Sequence, residues 1–233
     1  MPPLLFLPGL MCDARLFAPQ IAELSRLGAV MVAQYGAAGT IPDIAQHVLD
    51  QAPERFCLAG LSMGGIVAME VARQAPARVA SLALMDTNGA AESARAADFR
   101  ARMIDMASAG GLREVMQAHL LPRYVADPVG DAALLDLCLT MAEEIGADQF
   151  IRHSQALMSR PDQRPHLPAY LGKTLILWGT QDALCPPRYH HELADLLPHA
   201  QCVEVDGAGH LPVLERAKVT TDALRGWWTG GDA

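Results

Sequence analysis

The chain has 233 residues, of which 51% are hydrophobic and 19% charged, and its net charge is −8. That length suits one domain with room for an insertion, and that polarity supplies a full buried core and excludes an intrinsically disordered chain. With 26 acidic against 18 basic residues and no dense Lys/Arg cluster, nucleic acid is excluded as an expected partner. Leu4 to Leu7 reads as a buried strand ending at Pro8-Gly9, and Val30 to Ala33 as a second. Thr40 caps a helix over Ile41 to Gln51, with Pro42 in its first turn. Phe56 to Leu61 is a third strand, followed by a helix from Met63 to Gln74 that Pro76 stops. Val79 to Met85 and Thr174 to Trp178 are the fourth and fifth strands. A helix from Pro187 to Leu197, a sixth strand from Gln201 to Val205 and a last helix from Leu211 to Trp228 complete the series. Strands apolar on both sides, each separated by a helix, predict an α/β fold with a mostly parallel sheet covered on both faces.

One stretch breaks this rhythm. From Asp86 to Gly172 no strand-like run occurs, and helical patterns take over at Phe99–Ala109, Leu112–Leu120, Leu134–Ile145 and Phe150–Met158. Structureless loops of that length are rare in compact domains. The expected organisation is therefore a core of residues 1–88 and 170–233 with a helical lid, or cap, of residues 89–169. Arg160 to Pro165 reads as the return linker.

Five cysteines (Cys12, Cys57, Cys138, Cys185 and Cys202) form no Cys-x-x-Cys pair and are odd in number. They suit neither a disulfide framework nor a zinc site, and reduced thiols point to the cytoplasm. The opening residues lack the basic n-region of a signal peptide, and no run reaches the roughly 20 apolar residues of a membrane span.

Gly60-Leu61-Ser62-Met63-Gly64 matches G-x-S-x-G. The pattern alone is weak, but here it lies between an apolar strand and a helix, as a nucleophile elbow requires. The sharp turn strains the serine backbone, and small neighbours let other backbone approach. The competing reading is a helix N-cap serine among packing glycines. A serine hydroxyl needs a base to take its proton. Of the eight histidines, His210 follows the last strand in Gly207-Ala208-Gly209-His210, at the same carboxyl sheet edge as Ser62. His190, His191 and His199 read as solvated helix face, His47 as helix surface and His153 as a lid residue. Asp182, in Gly179-Thr180-Gln181-Asp182, is the favoured acid to orient the imidazole, with Asp86 as its rival. Asp206 reads as shaping the histidine loop. The oxyanion of a tetrahedral intermediate needs two donors. The expected pair is the backbone N–H of Met63 and that of Leu10, in the loop after the first strand, and Cys12 is expected near the pocket rim.

On Leu7-Pro8-Gly9-Leu10, Gly60-Leu61-Ser62-Met63-Gly64-Gly65, Gly179 to Leu184 and Gly207 to Leu211, the chain resembles the α/β-hydrolase superfamily over nearly its whole length. Within it, the chain is similar to compact lid-bearing carboxylesterases, with pimeloyl-carrier-protein methyl esterase, enol-lactonases and carbon–carbon hydrolases as relatives. The resemblance implies a lid after the fourth strand. The family's first two strands have no counterpart here, so a sheet of about six strands is expected. The usual His-Gly of the oxyanion loop is Pro8-Gly9. Ile66 stands where menaquinone-pathway synthases carry arginine, and Leu61 where carbon–carbon hydrolases usually carry asparagine. A serine nucleophile disfavours haloalkane or epoxide chemistry.

The lid carries Met103, Met106, Met116, Met141 and Met158, which suit either an adaptable pocket or helix core. Arg100, Arg102, Arg113, Arg123 and Arg152 are expected at the surface, unless one meets a substrate carboxylate. The expected function is hydrolysis of a small-molecule ester with an apolar acyl part, through an acyl-enzyme on Ser62, with no metal or organic cofactor. A carbon–carbon or lactone hydrolase with the same residues, or a ligand sensor on the same fold, are the alternatives.

Overall fold

Each short apolar run becomes a strand of one sheet. The computed structural model describes residues 1–230. In chain order it runs β1 (Leu4–Leu7), a 3₁₀ turn at Ala14–Phe17, α1 (Ala18–Leu24), β2 (Val30–Val32), α2 (Ile41–Gln51), β3 (Phe56–Leu61), α3 (Met63–Gln74) and β4 (Val79–Met85). Then come α4 (Ala94–Ser108), α5 (Leu112–Glu114) widening into a π-helical turn over Val115–Leu120, α6 (Ala132–Ile145) and α7 (Ala147–Met158). The chain returns through β5 (Lys173–Gly179), α8 (Pro187–Leu196), β6 (Gln201–Val205), α9 (Pro212–Glu215) and α10 (Ala217–Thr229).

The strand order is β2-β1-β3-β4-β5-β6, and every neighbouring pair is parallel. Successive side chains alternate between faces. Leu4, Phe6, Cys57, Ala59, Leu175 and Leu177 pack on α1 and α10, against Leu24, Leu224 and Trp227. Leu5, Leu7, Leu58, Leu82, Leu84 and Ile176 pack on α2, α3 and α8, against Ile44, Val67 and Leu193. This two-sided burial is why the central strands read as unbroken apolar runs rather than alternating ones. The chain leaves β1 toward β2 and then crosses to β3 on the other side of β1. The loops after β1 and β3 therefore diverge, opening a crevice at their carboxyl ends.

Local boundaries moved where side chains captured backbone groups. The predicted last helix is split at Arg216, whose backbone leaves the helical region. The buried Gln20 amide donates to Val213 O at 2.9 Å, and Thr220 Oγ1 donates to Pro212 O at 2.9 Å. The Val213 carbonyl that would continue the helix is thus taken by a side chain, while Pro212 O accepts the Thr220 hydroxyl beside the Arg216 N–H. α4 starts earlier than predicted because Ser93 Oγ caps it through the Ala96 N–H, before any apolar periodicity begins. α1 has no counterpart in the sequence reading. Of the methionines between β4 and β5, Met103, Met116 and Met141 are buried in the core, the second of the two uses their pattern allowed.

α3 crosses beneath the sheet at van der Waals contact. A Cβ on Gly64 would stand 2.0 Å from Leu7 O. No side-chain rearrangement relieves a clash with main chain, so Gly64→Ala must pull α3 off β1. It is expected to destabilise the protein by about 3 kcal/mol or more, measurable by urea unfolding.

Candidate active site

Ser62 ends β3 and caps α3 with φ 56° and ψ −117°. A β-strand-to-helix turn this tight forces a non-glycine residue to positive φ, a costly conformation that surrounding packing must hold. Gly60 makes it fit, since a Cβ there would lie 2.2 Å from Gly64 O. Thr87 Oγ1 donates to Ser62 O at 2.8 Å and fixes the turn from β4.

Three residues distant in sequence meet at the carboxyl edge. Ser62 Oγ lies 2.8 Å from His210 Nε2, and His210 Nδ1 lies 2.8 Å from Asp182 Oδ2. Asp182 Oδ1 accepts the backbone N–H groups of Leu184 (2.7 Å) and Cys185 (2.9 Å). Both Asp182 and His210 are buried. Burial alone would raise the Asp182 pKa, but the His210 ring and the two amides outweigh it and hold the carboxyl below the usual range. The group is therefore ionised and acts as acceptor for the ring N–H.

Asp86, the rival acid, is brought to the same cluster but not to His210. It sits at φ 44° at the end of β4, and its Oδ1 accepts the Gly179 N–H at 2.9 Å. Oxygens of Asp86 and Asp182 and a nitrogen of His190 all lie within 4.8 Å of one another. Two buried carboxyls so close cannot both ionise. Burial, and next the charge of Asp182, push the Asp86 pKa well up, so Asp86 is the neutral acid of the pair.

His190 corrects the sequence reading, which placed it on a solvated face. It is fully buried, stacks on Trp178 with ring centroids 5.2 Å apart, and accepts the Thr87 N–H at 3.1 Å. Burial lowers its pKa to about 4, so it stays neutral. His191, next to it on the same helix, is exposed and meets only the edge of Trp178, so burial and the stacked geometry are what distinguish His190. Glu215 was also missed. Its carboxylate accepts the N–H groups of Gly209 (2.9 Å), Leu211 (3.0 Å) and Ala126 (2.7 Å), clamping the histidine loop to the helical insertion. An acidic residue in the first turn after that loop was the available signal. The His210 N–H in turn donates to Tyr124 O at 3.0 Å.

Ser62 and His210 open onto a cavity of about 320 Å³. Leu10 and Met63 line it beside them, and the insertion contributes Phe99, Arg100, Leu120, Tyr124 and Leu157. Met63 is the first residue of α3, so its N–H has no intrahelical acceptor. Cys12 is not at this rim; it lines a second cavity with Tyr35 and His153. Asp206 Oδ1 lies 3.5 Å from Thr180 Oγ1. Two sets of potential metal donors occur among the described residues, Asp182 with Cys185 and His210, and Asp86 with Asp182 and His190. Neither suits a cation. The Asp182 and His210 donors are spent on each other, His190 Nε2 accepts an amide N–H so that its Nδ1 carries the proton of the neutral ring, and burial keeps the Cys185 thiol protonated.

The sequence profile of the alpha/beta hydrolase family matches residues 4–223. The chain is 26% identical, over 90% of its length and 85% of the other's, to the pimeloyl-[acyl-carrier protein] methyl ester esterase of Edwardsiella ictaluri. Its fold matches a thermophilic esterase from Thermogutta terrifontis with a TM-score of 0.88 and 27% identity, covering 98% of this chain and 89% of that one. The enol-lactonase of Burkholderia xenovorans matches with a TM-score of 0.88 at 23% identity, covering 98% and 91%. The chain belongs to the alpha/beta hydrolase family.

Asp86 yields a prediction with a definite sign. Its pKa is higher folded than unfolded, so its contribution to stability falls as pH rises above about 4, the value of a free carboxyl. Asparagine keeps an acceptor for Gly179, supplies a donor toward Asp182 and has no proton to hold. Urea unfolding should show Asp86→Asn gaining on wild type between about pH 5 and pH 8. Asp86→Ala leaves the Gly179 N–H unpaired and should lose about 1–3 kcal/mol.

Proposed function

We propose that this hydrolase is a serine esterase acting on a small-molecule carboxylic ester with an apolar acyl part. The observation that carries the reading is the unbroken hydrogen-bonded series from Ser62 through His210 to Asp182, opening on a cavity. Ser62 Oγ attacks the ester carbonyl while His210 Nε2 takes its proton. Asp182 holds the ring by Nδ1 and offsets the imidazolium charge. The N–H groups of Leu10 and Met63 serve as the oxyanion hole, stabilising charge that develops only in the transition state. His210 then protonates the leaving alcohol, and in the second half it activates the water that releases the acid. These residues complete the cycle among themselves, and no cofactor is assigned to it.

Residues 89–169 act as a lid over this cavity, a role supported by the apolar side chains Phe99, Leu120 and Leu157 in its wall. They exclude water and strengthen the electrostatic contacts within. The five free cysteines support a cytoplasmic setting. No helix of the described residues is long and apolar enough to cross a membrane.

Hydrolysis of p-nitrophenyl esters from acetate to decanoate tests the reading. Wild type should turn over the shorter esters, and Ser62→Ala should be inactive. Asp182→Asn should lower kcat on the order of 10³–10⁴-fold by leaving the ring in the wrong tautomer. Activity retained in Ser62→Ala would exclude the serine mechanism. Inactivity of wild type on every ester, with turnover of a lactone, would move the substrate to the lactone class.

A further inference from the structure

The wall of the Ser62 cavity is charged as well as apolar. Glu92 stands in it together with Arg100, Arg123 and Arg160. Glu92 has its side chain only 3% exposed and faces two of these cations at once. Arg160 Nη1 forms an ion pair with Glu92 Oε2. Its Nε donates to Ala90 O at 2.8 Å and its Nη2 to Asn88 Oδ1 at 3.4 Å. Arg160 is thus an anchored guanidinium, held by Glu92 and the Ala90 carbonyl with a longer contact to Asn88.

Arg100 is held far less well. Its Nη2 lies 3.5 Å from Glu92 Oε1, too far for a strong hydrogen bond. Its Nε is buried with no acceptor among the described residues. A guanidinium carries five N–H donors in a planar fork, and a buried donor left unpaired costs free energy. Moreover, Glu92 supplies one negative charge against two guanidiniums, so the group of three keeps a net positive charge. Arg123, the third cation of the wall, is exposed and donates to Ala183 O. The sequence reading placed Arg100 at the surface, whereas the fold sets it in the cavity of Ser62 and His210.

We propose that Arg100 is the receptor for a carboxylate carried on the acyl part of the substrate, so that the ester cleaved is a half-ester of a short dicarboxylic acid. A carboxylate matches the guanidinium in shape and charge, and its two oxygens can meet Nη1 and Nη2, which make no hydrogen bond within the described residues and belong to a side chain that is partly open to the cavity. The apolar side chains Phe99 and Leu157 in the same wall suit the methylene chain between the two ends. Placing the charge on the acyl part keeps this contact through both attack and deacylation. The proposal rests on the esterase reading above and names its substrate class.

The test compares the mono-p-nitrophenyl ester of glutaric acid with p-nitrophenyl pentanoate, which has the same number of acyl carbons and no charge. Wild type should prefer the anionic ester by about tenfold or more in kcat/KM, the order given by one charge-assisted pair. Arg100→Gln should bring the ratio toward one, mainly through KM for the anionic ester. Arg100→Lys keeps the charge without the fork and should retain part of the preference. A ratio near one in wild type, or a preference that survives Arg100→Gln, overturns the proposal. A second readout needs no turnover: glutarate should raise the melting temperature of Ser62→Ala but not of Ser62→Ala/Arg100→Gln. Glutarate stabilisation in the absence of any ester hydrolysis would remove the esterase reading and leave the receptor standing. Hydrolysis of the neutral ester without glutarate stabilisation would do the reverse.

Discussion

The positive φ at Ser62 persists because the backbone around it is pinned from several sides. α3 lies close enough to β1 and β3 that no side chain fits at Gly64 or Gly60. The Thr87 hydroxyl holds the Ser62 carbonyl from the loop after β4. Strain of this kind is stable only when the surroundings over-determine it. The rest of the arrangement depends on it. The turn sets Ser62 Oγ at the sheet edge, where loops after β5 and β6 can bring Asp182 and His210 to it. The same turn leaves the Met63 N–H at the start of a helix, beside the crevice that opens between β1 and β3.

Charge around the cluster is arranged so that one carboxylate, and not two, faces the imidazole. Asp86 and Asp182 are close and buried, and their environments push their pKa values apart. Asp182 receives two amides and a histidine ring; Asp86 receives one amide and the repulsion of its neighbour. Glu215 is spent on backbone N–H groups, which binds the histidine loop to the insertion. Because that carboxylate bridges Gly209 and Ala126, the position of His210 is coupled to the packing of the helices above it.

Those helices do two different things. Met103, Met116 and Met141 and several of their leucines fill the core, extending the apolar cluster on one face of the sheet. A smaller set, including Phe99, Arg100 and Tyr124, reaches the cavity. The substrate class proposed here comes from this second set alone. The core residues define a hydrolase fold shared with relatives of quite different stated substrates.

The sequence by itself determined the strands, because burial on both faces demands continuous apolar runs, and it marked Ser62, Asp182 and His210 through short glycine-bearing turns at strand ends. Such signals are local, and local backbone geometry is what a sequence writes directly. It could not separate His190 from His191, since both rings meet Trp178 and only the fold decides that His190 stacks flat on it in the interior while His191 meets its edge from an exposed position. It could not find the break at Arg216, which depends on Gln20 from the far end of the chain reaching Val213. Nor could it say that Arg100 would share a cavity with Ser62, or that Asp86 would keep a proton beside Asp182. Each of those was decided by tertiary structure, because burial, charge pairing and donor satisfaction are properties of neighbours that only folding brings together.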